Sequence, residues 1–378
     1  MATITAYETK DGRRYRVRYR TPDHRQTDKR GFKTKRDAEA FAASVEVSKL
    51  RGEFIDAAAA RVKIGELGPA WLKNQTHLKP SAYRPLETAW RVHVAPRWAD
   101  VAIADVKKSA VQSWVSGLTA GDPEAVPARP AKSATVVLRA YGVLASILDG
   151  AVDDRRVLVN PARGVTLPRK AKKAHVYLTH QQVHDLASEA KYPLLVMVLA
   201  YCGLRWGEAV ALRVKDLDAL RKRLRVEENA VEVGSVIEVG TPKNHKRRTV
   251  PYPEFLAVPL ARACEGKDRE DLLFPGYDGN FLRSTRVQDE RGGWFAGAVK
   301  RSGVPRITPH DLRHTAASLA VSAGANVKAV QRMLGHSSAA MTLDIYADLF
   351  DDDLNAVSER LNEAVAVQVV GKMWANRL

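Results

Sequence analysis

The sequence predicts a mainly α protein with small β elements (α+β), divided into three domains. Three observations point there. Apolar residues recur at helical spacing through residues 62–160 and again after residue 309. Strict period-two alternation is confined to residues 14–20 and to short runs beyond residue 220. Proline- and glycine-rich breaks separate these blocks. At 378 residues the chain is long enough for two or three domains.

Residues 1–55 read as strands followed by one helix. Alternation puts Arg14, Arg16, Arg18 and Arg20 on one face of a strand, with Tyr15, Val17 and Tyr19 on the other. Thr34 with Asp37 three residues later is a capping-box-like start, and Ala38, Phe41, Ala42 and Val45 follow at helical spacing. The helix would cover the apolar side of a small sheet and leave the arginines outside. Four like charges in register repel unless something anionic compensates them, which favours contact with nucleic acid over a merely solvated face.

Residues 62–160 read as all-helical. Ile64, Leu67, Trp71 and Leu72 make one apolar stripe, Val111, Trp114, Val115 and Leu118 another, and Val136, Val137, Tyr141, Leu144 and Leu148 a third. The segment 121–130, with its prolines, must be a loop. Trp71, Trp90 and Trp114 are expected in the core rather than as base-stacking platforms. Residues 161–174, with Arg163, Arg169, Lys170, Lys172 and Lys173, have the composition of a basic linker lying along a phosphate backbone, or of an exposed tether.

Residues 175–350 form the largest block. Thr179 and Gln182 open a helix through Val183, Leu186 and Ala187, and the apolar helix 194–204 must be buried. Residues 224–226, 236–239 and 249–251 read as strands, a hairpin-rich insert of two or three strands with Lys243 in its polar turn. In 351–378, Leu354, Val357, Leu361, Ala364 and Val365 follow an acidic break as an amphipathic tail helix.

Composition excludes several classes. The longest apolar run, 192–204, is shorter than the roughly 20 residues of a membrane span, and the first residues have no apolar leader. Two cysteines, Cys202 and Cys264, cannot make a disulfide framework or a cysteine-rich zinc site. The expectation is a cytoplasmic protein without a membrane partner. Sixty Lys+Arg against 43 Asp+Glu, a net charge of +17, point to a polyanion.

Four short segments carry the candidate chemistry. Arg205 stands between Gly203 and Gly207, where a guanidinium can offer a bidentate fork to phosphate, and Glu208 is placed either to hold that fork or to make a surface ion pair. Lys243 lies in the insert. His310 and Arg313, three apart at a helix start, can face one anion. His310 and His314 have zinc-ligand spacing but lack the accompanying glutamate, so no metal is expected. His336 follows Gly335, and Tyr346 lies ten residues further on. Two arginines, two histidines, a lysine and a tyrosine are the groups needed to cut a phosphodiester without metal or water.

The motifs "GLRWGE" at 203–208, "TPKNHKRRTVP" at 241–251, "HDLRHTAAS" at 310–318 and "LGHSS" at 334–338, with Tyr346, occur in the order of the tyrosine recombinases of the phage integrase family, which the chain resembles. The resemblance implies an arm-type DNA-binding domain (1–55), a helical core-type DNA-binding domain (62–160), the basic linker (161–174), a catalytic domain (175–350) and a tail (351–378) that docks on a neighbouring protomer or on its own domain. It implies that Tyr346 forms a 3′-phosphotyrosyl link, with Arg205 and Arg313 on the non-bridging oxygens. Lys243 would protonate the leaving 5′-oxygen, His310 would serve the tyrosine hydroxyl as acid/base, and His336 would bond the phosphate. No cofactor, metal or ATP is implied. The implied partners are double-stranded attachment sites of core and arm type, a homotetramer on DNA and, as accessories, a host DNA-bending protein and an excisionase. The expected activity is integration and excision of a phage or mobile element in a bacterial cytoplasm. A chromosome-dimer recombinase, a type IB topoisomerase-like enzyme, a non-catalytic architectural DNA-binding protein and a zinc hydrolase are the rivals.

Overall fold

The structure is a computed structural model. It describes residues 2–22, 24–56, 58–125, 127–171, 175–242, 247–285 and 293–351, with positions 359, 361, 362 and 365. The chain divides into two compact units, 1–172 and 173–378.

The first unit begins with an antiparallel sheet in the order β1 (Thr3–Thr9), β2 (Gly12–Arg20), β3 (Gln26–Phe32), followed by α1 (Lys35–Leu50). The Thr34 hydroxyl accepts the Asp37 N–H at 3.1 Å and starts α1. Val17, Ala38 and Val45 are buried, and Tyr19 meets Phe41 edge-on at 5.9 Å, so the apolar side of β2 is the side α1 covers. Arg18 and Arg20 are exposed and Arg14 and Arg16 half-buried. Asp28 on β3 offsets the charge of one of the four, pairing with Arg16 at 3.8 Å while it also holds Arg30 of its own strand at 2.7 Å.

Helices follow: α2 (Ile64–Lys73), α3 (Pro80–Ala89), a π turn (Trp90–Val94), α4 (Ala95–Trp98), α5 (Lys108–Ala120) and α6 (Ala134–Asp153). Ile64, Trp90, Val94, Trp98, Val111, Val137, Leu144 and Leu148 form their core, with Trp71 and Trp114 packed against it. α6 is long and apolar enough to cross a membrane by length and composition, and half of that stretch is buried inside the protein.

The stretch read as a tether from residue 161 is docked over its first half. Asn160 donates to the Ala145 carbonyl at 2.8 Å and to Asp149 at 2.7 Å. Tyr141 donates to the Ala162 carbonyl at 2.9 Å, and Ala162 and Val165 join the helical core. Composition marks a stretch as polar, but it does not reveal that the backbone carbonyls and Asn160 have partners on α6. Arg169 and Lys170 are exposed, whereas Lys172 and Lys173 lie outside the described residues.

The second unit contains α7 (His180–Glu189), α8 (Pro193–Cys202), α9 (Trp206–Ala209), β4 (Leu217–Asp218), β5 (Arg223–Val226), β6 (Asn229–Val233), β7 (Val236–Gly240), β8 (Arg248–Pro251), α10 (Ala257–Cys264), α11 (Trp294–Ser302), α12 (Pro309–Ser322), α13 (Val327–Leu334) and α14 (Ala339–Asp351). α8 is buried between α7 and α12. Its strands exceed the two or three expected and make two sheets, β4-β5-β8 and β6-β7. β8 returns to pair with β5, Leu224 opposite Val250, rather than with the nearer β7. Both residues are fully buried, and sealing that apolar pair decides the partner, which period-two alternation alone cannot. The expected tail falls almost wholly outside the described residues. Leu361 and Val365, which are described, are helical and exposed.

Candidate active site

Gly203 ends α8 in the left-handed region at φ 64°. A Cβ there would lie 2.8 Å from Leu334 Cδ2, so glycine lets the ends of α8 and α13 approach. Arg313 on α12 spans this crossing, donating from one terminal nitrogen to the Gly203 carbonyl and from the other to the Leu334 carbonyl, each at 2.5 Å. Its side chain is 3% exposed. Burial, then the facing Arg205, push its guanidinium down to about 9, which still leaves it charged at neutral pH.

Arg205 caps α9 and is aimed by Glu208, which accepts its Nη1 at 2.8 Å and its backbone N–H at 2.9 Å. Glu208 is 1% exposed and carries a second guanidinium, accepting Arg248 Nη1 at 2.9 Å and Nη2 at 2.7 Å. Burial alone would raise this carboxyl, but hydrogen bonds and charge from Arg248 and Arg205 outweigh it and hold the group at about 2. Arg248 also donates from Nε to the Met333 carbonyl at 3.2 Å. It lies against Gly335, where a Cβ would come within 3.0 Å of it. Arg205 is therefore tied through Glu208 and Arg248 to the turn that bears His336.

His336 follows the left-handed cap Gly335, φ 67°, and its Nδ1 pairs with Thr342 Oγ1 at 3.0 Å. Its ring lies nearly parallel to Tyr346 at 6.4 Å. Burial, then Arg313, Arg205 and Arg248, drive it down to about 4, so it is neutral at pH 7. Tyr346 sits where α14 loses helical geometry (φ −125°, ψ 16°), and it is 1% exposed. Burial pushes its hydroxyl up to about 12 against the opposing pull of Arg313.

The hydroxyl of Tyr346 is bonded to His314 Nδ1 at 2.8 Å. The resemblance implies that His310 serves this hydroxyl, and the hydrogen bond in this structure goes to His314 instead. His310 is exposed at the start of α12, whereas His314, one turn further in, points at α14. Desolvation and Arg313 move His310 down as well. The structure gathers Arg205, His310, Arg313, His336 and Tyr346 in one unit. Lys243 lies outside the described residues, and Arg14, Arg16, Arg18, Arg20, Arg169 and Lys170 belong to the other unit.

Sequence reasoning missed Arg248 as a contact of Glu208, although it stands inside the quoted insert motif, and weighed His314 only as a metal ligand. The offsets 310, 313 and 314 already put all three side chains on one helix face. No such signal exists for Arg248, whose partner lies 40 residues away.

Two guanidiniums beside a buried phenol, bonded to neutral imidazole, can grip a phosphodiester and attack it with the phenol oxygen. That is the chemistry of tyrosine-type DNA strand transferases.

Comparison with known proteins agrees. The phage integrase family matches residues 176–352, and an arm DNA-binding domain matches residues 5–49. The integrase of Mycobacterium phage D29 is 27% identical over 330 residues, covering 83% of this chain and 84% of that protein. The fold is shared with the Tn1549 transposon integrase in complex with a circular intermediate DNA (TM-score 0.66, 23% identity, 79% of this chain and 99% of that one). It is shared also with a lambda integrase tetramer bound to a Holliday junction (TM-score 0.55, 16% identity, 88% and 95%). The chain belongs to the phage integrase family, as a tyrosine-type site-specific DNA integrase.

Proposed function

We propose that the chain integrates and excises a phage or related mobile element by cutting DNA with Tyr346. The oxygen of Tyr346 attacks a backbone phosphorus, a 3′-phosphotyrosyl bond forms, and the 5′-oxygen leaves as a hydroxyl. The ester keeps the bond energy, so rejoining follows the same path without ATP. Arg205 and Arg313 hold the non-bridging oxygens as charge grows on them, a role worth several kcal/mol where the guanidinium is prepositioned. His310, exposed at the start of α12, and His336 bond the same phosphate, and Lys243 protonates the leaving oxygen. The observation that carries this reading is the convergence of Arg205, Arg313, His336 and Tyr346 on the crossing of α8 and α13.

The proposal extends to the rest of the chain. Arg14, Arg16, Arg18 and Arg20 on β2 contact arm-type DNA, and Arg169, Lys170, Lys172 and Lys173 follow the backbone of the core site. Binding two sites from one protomer raises the effective concentration of the second. A tetramer on DNA performs the four strand cuts. The tail docks between protomers, and a host bending protein and an excisionase set direction. The site of action is the bacterial cytoplasm.

The test is a nicked suicide duplex of candidate attachment-site DNA incubated with wild type and Tyr346→Phe in excess EDTA. A covalent protein–DNA band that maps to Tyr346 and vanishes in the variant supports the assignment. A band that persists in Tyr346→Phe names another nucleophile. Intact binding to a verified site without an adduct leaves a non-catalytic DNA-binding protein.

A further inference from the structure

A tyrosine buried to 1% with its hydroxyl held 2.8 Å from a neutral imidazole has a ready place for its proton. That imidazole is His314, outside the six positions proposed to carry the reaction. Its ring is fixed from two further sides. His175 lies tilted against it with centroids 4.2 Å apart, and His310 meets it at right angles at 5.1 Å. The segment that brings His175 is itself pinned to α12, since the Leu178 N–H donates to the Thr315 hydroxyl at 3.2 Å. Resting on the assignment of Tyr346 as nucleophile, we propose that His314 is a catalytic residue: its Nδ1 takes the hydroxyl proton of Tyr346 during cleavage and returns it during rejoining.

The step balances. The Tyr346 O–H bond breaks as the O–P bond forms, and its proton moves to the lone pair of His314 Nδ1, with the ring's other proton on Nε2. The P–O5′ bond breaks and its electron pair takes a proton from the acid on the leaving side. Rejoining reverses every transfer.

The surroundings explain why the proton stays on Tyr346 until DNA arrives. The groups facing His314 are His175, His310 and Arg313, which disfavour a cation, and Asp311, which favours one. Burial and these neighbours bring the imidazole down to about 4. An incoming phosphate anion cancels the charge of Arg313, and a phenol oxygen bonding to phosphorus loses its hold on the proton, so both changes favour transfer in the transition state. His310, exposed at the helix start, is left to the phosphate.

The experiment compares wild type, His314→Asn, His314→Ala and Tyr346→Phe on the nicked suicide duplex in EDTA between pH 6 and 9. Asparagine keeps a hydrogen-bonding atom near the Nδ1 position but cannot take a proton. Thermal melting and DNA affinity are measured on the same samples. The expected result is a His314→Asn protein that folds and binds DNA as wild type, forms the Tyr346 adduct about 10²–10⁴-fold more slowly at pH 7, and regains rate with rising pH as hydroxide substitutes for the base. A duplex with a 5′-bridging phosphorothiolate, whose sulfur leaves without an acid, should not restore the variant. Wild-type rate and pH profile in His314→Asn overturn the proposal, and so does rescue by the phosphorothiolate, which would put His314 on the leaving-group side. His314→Ala reaching the wild-type rate overturns it as well. Failure of the wild type itself to form an adduct at Tyr346 sinks the nucleophile assignment first, and the role of His314 with it.

Discussion

Around Leu144 on α6 the buried side chains are apolar: Val111, Val137, Ala140, Leu148 and Trp98 close on one another. Around Gly203, at the end of an equally apolar α8, the buried groups include Glu208, Arg313, His314 and Thr315. The first arrangement is the ordinary way to stabilise a domain, since each buried aliphatic side chain contributes about 1.5–3 kcal/mol. The second is expensive, because desolvated charged and polar groups stabilise nothing unless each finds partners. Here each does: Glu208 holds two guanidiniums, Arg313 two carbonyls, and His314 a phenol. The difference teaches where the chemistry lies. The helical core hides what water rejects, whereas the region around Gly203 hides charge that is held prearranged and unscreened, as the proposed grip on a phosphate requires.

The contrast breaks most sharply at Arg313. Arg313→Lys keeps the charge but cannot span the Gly203 and Leu334 carbonyls, and single-turnover adduct formation should fall about 10²–10³-fold with DNA affinity little changed. A wild-type rate would mean that the fork geometry is irrelevant.

Glu208 comes next, and acid reads it. Its carboxyl is held at about 2 against an ordinary 4.5. Its contribution to stability is therefore complete above pH 4.5 and is lost as pH falls from there toward 2, on the order of 3 kcal/mol in all. Glu208→Gln should flatten the thermal midpoint across that window and slow adduct formation by on the order of tenfold, because Arg205 loses its anchor. An unchanged acid limb would show that the carboxylate is not clamped.

A smaller effect is expected in the apolar unit. Ile147→Val on α6 removes one buried methylene and should cost about 0.5–1.5 kcal/mol in urea unfolding, while the adduct rate of DNA-bound enzyme stays the same. A slowed rate would reveal that the two kinds of core are coupled.

The smallest belongs to the surface. Arg18 is exposed, and Arg18→Ala should lower the salt slope of arm-DNA binding by about one and leave cleavage of a core-type suicide duplex intact. No change in slope would make this arginine face a solvated one.

Much was legible in the chain, and for local reasons. The Thr34 and Thr179 caps, the burial of α8 and the helical stripes of the first unit depend on neighbours within a few residues and are present, and the alternation of β2 holds over residues 17–20 but not at 14–16, where a register shift against β3 intervenes. The candidate site was legible as motifs, because helical offsets put His310, Arg313 and His314 on one face.

What stayed hidden depended on partners far along the chain. Asn160 meets Ala145 and Asp149, β8 passes over β7 for β5, Arg248 meets Glu208, and His175 meets His314. By itself the sequence determined the fold class, the capped starts of α1 and α7, the burial of α8 and the inventory of candidate site residues, because each follows from periodicity and residue type over short range. Tertiary structure alone decided which histidine reaches the hydroxyl of Tyr346, that Arg248 shares the carboxylate of Glu208, and how far the proline-punctuated stretch beyond residue 160 is docked. Those outcomes turn on desolvation and on hydrogen-bond partners at distances and angles that no spacing along the chain encodes.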